Sequence, residues 1–281
     1  MSKDPLVSTA WLYERLSAPD IQIVDASWYM PSEARDPQRE YERAHIPGAV
    51  FFDIDEIADT DSGLPHMLPS PAKFASRVQA MGLGDGSTIV VYDGGGLRAA
   101  RTWWAFRAMG HENVVVLDGG LSKWIAEGRP VEDLPPSPQE RHFTPRYSAD
   151  LVRDKAQVLR AIESGREQLV DARPAARFTA EAPEPREGLR GGHMPGARNV
   201  PSSTVIAPDG TLLPADKLKA VFEAAGVELD KPIVTTCGSG VTASILALAL
   251  ARLGRPRVAV YDGSWTEWGG LPDTPVVTGP A

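Results

Sequence analysis

The chain has one cysteine in 281 residues, so no internal disulfide can form and neither a paired-cysteine metal site nor a C-x-x-C redox pair is available. Sulfur chemistry at that residue would have no internal resolving partner, and whatever it carries must leave to an external acceptor. No apolar run approaches the roughly 20 residues that cross a bilayer, which argues against a membrane role. The opening Met-Ser-Lys-Asp-Pro lacks the apolar centre of a signal peptide, so a cytoplasmic location is expected. Positive charge is in the minority: 29 Lys and Arg against 37 Asp and Glu leave −8, the wrong sign for a nucleic-acid partner. No motif requires a cofactor or a metal.

What is present reads as ordinary globular protein, 42% apolar and 23% charged. The length suits two domains of about 140 residues, each able to bury its own core. The cysteine lies in Ile-Val-Thr-Thr-Cys-Gly-Ser-Gly-Val-Thr-Ala-Ser, residues 233–244. A β-rich run over 233–236 delivers Cys237 to a Gly/Ser turn, and 242–253 reads as an apolar helix. Strand, loop and helix in that order put the sulfur among backbone N–H groups at the positive end of a helix, where a thiolate is favoured. Gly238 and Gly240 allow a tight loop whose amides point inward. The bland alternative is a small buried hydrophobe, but a structural cysteine belongs inside the strand rather than at its mouth beside two glycines.

Landmarks recur along the chain. The strand ending in Asp25 returns as the one ending in Asp171. His45-Ile-Pro-Gly-Ala returns as His193-Met-Pro-Gly-Ala. Asp93-Gly-Gly-Gly stands where Cys237-Gly-Ser-Gly stands later, and Asp118-Gly-Gly with Trp124 parallels Asp262-Gly-Ser with Trp268. The offsets are 171 − 25 = 146, 193 − 45 = 148, 237 − 93 = 144 and 262 − 118 = 144, a tandem duplication. Helices are expected over 8–18, 71–81, 97–109 and 121–126 in the first half, and over 154–163, 214–225 and 242–253 in the second. Alternation with strands predicts an α/β fold, two parallel sheets each with helices on both faces. The division is 1–130, a proline-rich extended linker over 131–150, and 151–281.

The duplication acts as an internal control, because features in both halves belong to the fold and features in one half are candidates for chemistry. His45 and His193 recur and read as structural, capping or bonding the Pro-Gly turn; Trp124 and Trp268 read as core. Cys237 has no counterpart, since Asp93 replaces it. His66 falls opposite Thr211 and Asp55 opposite Ser203, while Arg177 and Arg186 lie in an insertion with no clean partner. Singly, each would be a surface ion pair or a turn residue; their joint asymmetry makes them candidates for chemistry.

These motifs resemble the two-domain rhodanese-like sulfurtransferases over essentially the whole chain. Within that family the loop Cys237-Gly238-Ser239-Gly240-Val241-Thr242 is most similar to that of 3-mercaptopyruvate sulfurtransferases, whereas thiosulfate sulfurtransferases carry Arg and Lys after the cysteine. A compact dianion needs such loop cations, and here Gly238 and Ser239 add none. The resemblance implies two arginines on the substrate carboxylate and carbonyl, matching Arg177 and Arg186, with Gly238, Gly240, Val241 and Thr242 forming the substrate-binding loop. It also implies a serine, histidine and aspartate relay matching Ser239, His66 and Asp55. The expected reaction passes sulfur from 3-mercaptopyruvate through a Cys237 persulfide to thiol or cyanide acceptors, with thioredoxin or small thiols as physiological partners. The site is expected in the cleft between halves. Thiosulfate preference is one alternative and a non-catalytic binding module another. A cysteine phosphatase is disfavoured because its Cys-x5-Arg loop would need arginine where Ala243 stands.

Overall fold

The computed structural model describes residues 4–281. The first half contains strands β1 (Leu6–Val7), β2 (Ile21–Asp25), β3 (Val50–Phe51), β4 (Thr88–Tyr92) and β5 (Val114–Leu117). Its helices are α1 (Thr9–Tyr13), α2 (Pro37–Arg43), α3 (Ile54–Ile57), α4 (Pro71–Ala80), α5 (Ala100–Ala108) and α6 (Gly120–Ala126). The second half contains β6 (Val152–Arg153), β7 (Gln168–Asp171), β8 (Arg198–Asn199), β9 (Ile233–Thr236) and β10 (Ala259–Tyr261). Its helices are α7 (Lys155–Ser164), α8 (Ala175–Phe178), α9 (Ala215–Ala224), α10 (Val241–Arg252) and α11 (Ser264–Trp268). The sheets run β1-β5-β4-β2-β3 and β6-β10-β9-β7-β8, and every strand pairing is parallel. Counted from β6 the second order equals the first, so the repeat seen in the landmarks is a repeat of topology. Helices cover both sheets, and β4 and β9 therefore read as continuous β-branched runs rather than alternating ones.

Three expectations need correction. The helix expected over 8–18 is regular only in α1, capped by the Ser8 side chain, which accepts the Trp11 N–H; Pro19 forces Ala18 toward extended backbone and the chain turns instead. The linker is extended, as its prolines require, but it is fastened along the first half. Phe143 is buried against Phe74 and Phe106, Asp85 N–H donates to His142 O, and Ser148 N–H donates to Ala108 O. Proline removes ladder donors without preventing packing. His45 and His193 are structural, yet they do not bond the Pro-Gly turn. Each Nδ1 donates to the carbonyl of an earlier helical residue, Tyr41 at 2.7 Å and Phe178 at 2.9 Å, and each ring stacks on that same residue. Trp124 and Trp268 are fully buried and donate to Pro130 O and Pro275 O.

The two halves share one interior. α5 packs on α10, and Trp104 and Phe106 lie in the same apolar cluster as Ile245 and Leu248. The boundary is also held reciprocally. Asp262 accepts the Leu68 N–H at 2.7 Å, and Asp118 accepts the Leu212 N–H at 2.8 Å. Each Gly-rich turn thereby caps the other half.

Candidate active site

β9 ends at Thr236 and hands Cys237 to a loop that closes at Gly240, the residue before α10. Gly240 has φ +82°, and a Cβ there would stand 2.8 Å from Arg101 Nη1, so both conformation and space demand glycine. The loop is stitched to the turn after β10. Cys237 O accepts the Trp265 N–H at 2.9 Å, and Gly238 O accepts the Thr266 N–H and hydroxyl at 2.9 and 2.6 Å. Cys237 is 2% exposed, and Thr242 stands on the first turn of α10 beside buried Val241.

The first half shows what such a loop holds. Asp93 O accepts the Leu121 N–H and Gly94 O the Ser122 hydroxyl, the same two stitches 144 residues earlier. Inside this loop the Asp93 carboxylate takes the amide hydrogens of Gly95 and Ala99, both at 2.6 Å. The nest of inward amides therefore accommodates an anion. Burial still pushes the Asp93 carboxyl above its ordinary range.

The arginines converge on the loop. The Cβ position of Gly238 lies 3.3 Å from Arg177 Nη2 and 3.9 Å from Arg186 Nη1, so any side chain at 238 would crowd the guanidiniums. Arg177 is forked onto Glu184, Nη2 to Oε2 at 2.5 Å and Nε to Oε1 at 3.2 Å. By repeat position Arg177 falls opposite Glu40, since Phe178 and Tyr41 each bond and stack on the recurring histidine, so no arginine stands at its counterpart. Arg35 is forked onto Glu40 at 2.8 and 2.5 Å and stands beside Gly94, the counterpart of Gly238. Arg186 has no hydrogen-bond or ion-pair partner among the described residues.

His66 and Asp55 meet as expected. His66 Nδ1 lies 2.6 Å from Asp55 Oδ1, although the approach is not aligned as a good hydrogen bond, and Trp28 Nε1 donates to Asp55 Oδ2 at 3.2 Å. The imidazole beside it holds the Asp55 carboxyl below the ordinary carboxylate range, with a smaller contribution from Arg186. His66 is buried, with φ +61°; its Nε2 has no protein partner. Ser239 makes no hydrogen bond to His66, so the expected three-residue relay is closed only at its His66 to Asp55 link.

Sequence reasoning missed Arg101. It is 2% exposed, donates from Nη2 to Asp262 Oδ1 at 2.6 Å and to the His66 carbonyl, and lies over Trp104. With Asp262 also capping Leu68, the His66 segment is held by Arg101 of its own half on one side and by Asp262 of the second half on the other, and the two holding groups are themselves paired. Nothing in a pattern of apolar periods signals a cation buried across a domain boundary. Thr266 and Glu184 were missed for the same reason, as each acts only through tertiary contact.

The pattern of the rhodanese-like domain matches residues 8–127 and again 154–271. The chain is similar to thiosulfate/3-mercaptopyruvate sulfurtransferase 1, mitochondrial, of Arabidopsis thaliana, 46% identical over 98% of this chain and 78% of that protein. It is 45% identical to 3-mercaptopyruvate sulfurtransferase of Escherichia coli, over 98% of this chain and 99% of that one. Among solved structures, the crystal structure of SseA, a 3-mercaptopyruvate sulfotransferase from Escherichia coli, superposes with TM-score 0.86 at 43% identity. The match covers 94% of this chain and 99% of SseA.

Proposed function

The chain belongs to the rhodanese-like domain family, as a two-domain sulfurtransferase, and on that premise we propose that it takes sulfur from 3-mercaptopyruvate and passes it through Cys237 to a thiol or cyanide. The observation that carries this reading is Cys237 at the mouth of β9, in an uncharged loop with Arg177 and Arg186 at its rim, against Asp93 at the same point of the other half.

In the first half-reaction the Cys237 thiolate attacks the donor sulfur. An S–S bond forms, the C–S bond breaks, and its electron pair leaves on carbon as the enolate of pyruvate. Arg186 and the open side of Arg177 hold the carboxylate and the enolate oxygen. The carbon then takes one proton. His66, through Ser239 or through a water between them, is the source in this reading, and Asp55 holds the ring. The outer sulfur, which arrives carrying the donor's thiol proton and releases it to solvent, sits in the loop as an anion. The amides of Ser239 and Ala243 hold the repeat positions of Gly95 and Ala99, the two that serve the Asp93 carboxylate. In the second half-reaction a thiolate, from thioredoxin or a small thiol, or cyanide attacks that outer sulfur and Cys237 departs as thiolate. Thiosulfate is the poorer donor in this reading, and the location is cytoplasmic. No helix among the described residues is long and apolar enough to cross a membrane.

Intact mass after exposure to 3-mercaptopyruvate without acceptor tests the reading. One added sulfur is expected on the wild type, and neither adduct nor turnover on Cys237→Ser. Unchanged turnover in that variant removes Cys237 from the reaction, and a wild type that forms no adduct and turns over neither donor makes the chain a binding module.

A further inference from the structure

Two arginines border Gly238, and their charges are not equally available. Glu184, whose side chain is 1% exposed, binds two guanidiniums at once. Oε1 accepts from Arg173 Nη1 at 2.8 Å, and Oε2 accepts from Arg177 Nη2 at 2.5 Å. Arg173 is itself forked onto Asp171, with Nε and Nη2 at 3.0 and 2.7 Å from Oδ2. Two buried carboxylates thus offset two guanidiniums, and the cluster is neutral as a unit. The first half has a single such pair, Arg35 on Glu40 beside Gly94, where Asp93 leaves no cysteine to serve. The first-half fork is built from other repeat positions, since Glu40 precedes Tyr41 as Arg177 precedes Phe178, and Arg186 stands outside the second-half cluster with no hydrogen-bond or ion-pair partner among the described residues.

We infer that Glu184 is a specificity-determining positioning residue, which cancels the charge of Arg177 while fixing its open side toward the loop and leaves Arg186, which has no direct ion-pair partner among the described residues and only a distant influence from Asp55, as the available cation beside Gly238. The inference rests on the reading of this loop as the donor site. A donor with one negative charge is matched by one cation. A dianion such as thiosulfate costs more to desolvate and needs a second cation to recover that cost, which Glu184 withholds and which Gly238 and Ser239 do not supply.

Glu184→Gln keeps the shape and an acceptor oxygen while freeing one unit of positive charge. Added charge favours a dianion over a monoanion, so kcat/KM for thiosulfate relative to 3-mercaptopyruvate should rise by about tenfold or more, mainly through a lower KM for thiosulfate. Glu184→Asp, which keeps the charge, should leave the ratio within about threefold of wild type. A merely structural role would lower both donors together and leave the ratio in place, and an unchanged ratio in Glu184→Gln overturns the inference. Should Glu184→Gln not fold, inhibition of the wild type decides: pyruvate should compete with 3-mercaptopyruvate more strongly than sulfate does, and the reverse order overturns the inference. Failure of the donor reading has a separate signature, absence of 3-mercaptopyruvate turnover in the wild type.

Discussion

Asp93 and Cys237 stand at one and the same point of the two repeats, each with its carbonyl bound by the amide that follows the paired Gly-rich turn, Leu121 for Asp93 and Trp265 for Cys237. The backbone of the loop is common to both halves. The difference lies in what fills it: in the first half a carboxylate of the chain itself, in the second a sulfur with space around it for two arginines.

Asp93→Cys in a Cys237→Ser background should therefore not restore turnover. A Cβ at Gly94 would collide with the Tyr29 hydroxyl, and the neighbouring Arg35 is tied to Glu40 and stacked on Tyr29. That mouth is plugged by Tyr29 and offers no free cation. Substantial 3-mercaptopyruvate turnover, or a persulfide on the introduced cysteine, would show that each half carries a complete site.

The ion pair of Arg101 with Asp262 should matter to the whole fold. Both side chains are buried, so Arg101→Met leaves a carboxylate without its cation at the domain boundary, a loss of about 3–5 kcal/mol. Adding Asp262→Asn should return part of it, since the two changes are coupled. Denaturant unfolding of both variants checks this, and a single variant within about 0.5 kcal/mol of wild type would mean that solvent reaches the pair.

Much of this was legible because it is local. The β9 run, the Gly-bracketed Cys237 and the apolar α10 are consecutive in sequence, and the repeat order exposes itself through Asp25, Pro-Gly and Asp118 landmarks. Asp55 and His66 were found as residues that the second half lacks. Arg101 and Glu184 were not legible, because a charged residue reads as surface until a partner removed by 161 positions, as Asp262 is from Arg101, or a buried fork, as in Glu184 with Arg177, takes it inside. Arg177 has no arginine at its repeat position, which Glu40 occupies, and that Arg35 nevertheless brings a guanidinium beside Gly94 is visible only in the folded chain.

Asp25 and Asp171 end equivalent strands, but only Asp171 has an arginine, Arg173, against it. Burial pushes the Asp25 carboxyl up to about 6, against the lowering effect of Ser27. A carboxyl raised in the folded state favours folding fully below its unfolded value near 4, and that contribution is lost as pH rises through about 6. The loss amounts to about 2–3 kcal/mol between those limits. Asp25→Asn keeps an acceptor for the Ser27 N–H, which donates to Asp25 Oδ1 at 2.9 Å. The variant should therefore show a flatter stability curve between pH 4 and about 6, measured by denaturant midpoints. Parallel curves for variant and wild type would assign the slope to another group.

His66 and Asp55 carry the prediction with the most chemistry in it. Trp28 and Asp55 border the ring on one side, with Nδ1 2.6 Å from Asp55 Oδ1, the Arg101 clamp holds its carbonyl, and Nε2 has no protein partner. If that nitrogen supplies the proton to the departing enolate, His66→Ala should lower 3-mercaptopyruvate turnover by about 10²-fold or more, the scale on which general acid catalysis operates. Thiosulfate turnover should fall far less, because sulfite leaves as a stable anion and needs no proton. Asp55→Asn should act in the same direction but more weakly, since it loosens the ring without removing it. The ratio between donors is the measurement, because loss of folded protein or of the Leu68 contact lowers both rates alike. An equal fall with both donors would make His66 a prop of the domain boundary, and no fall with either would leave the proton to a water that the protein does not direct.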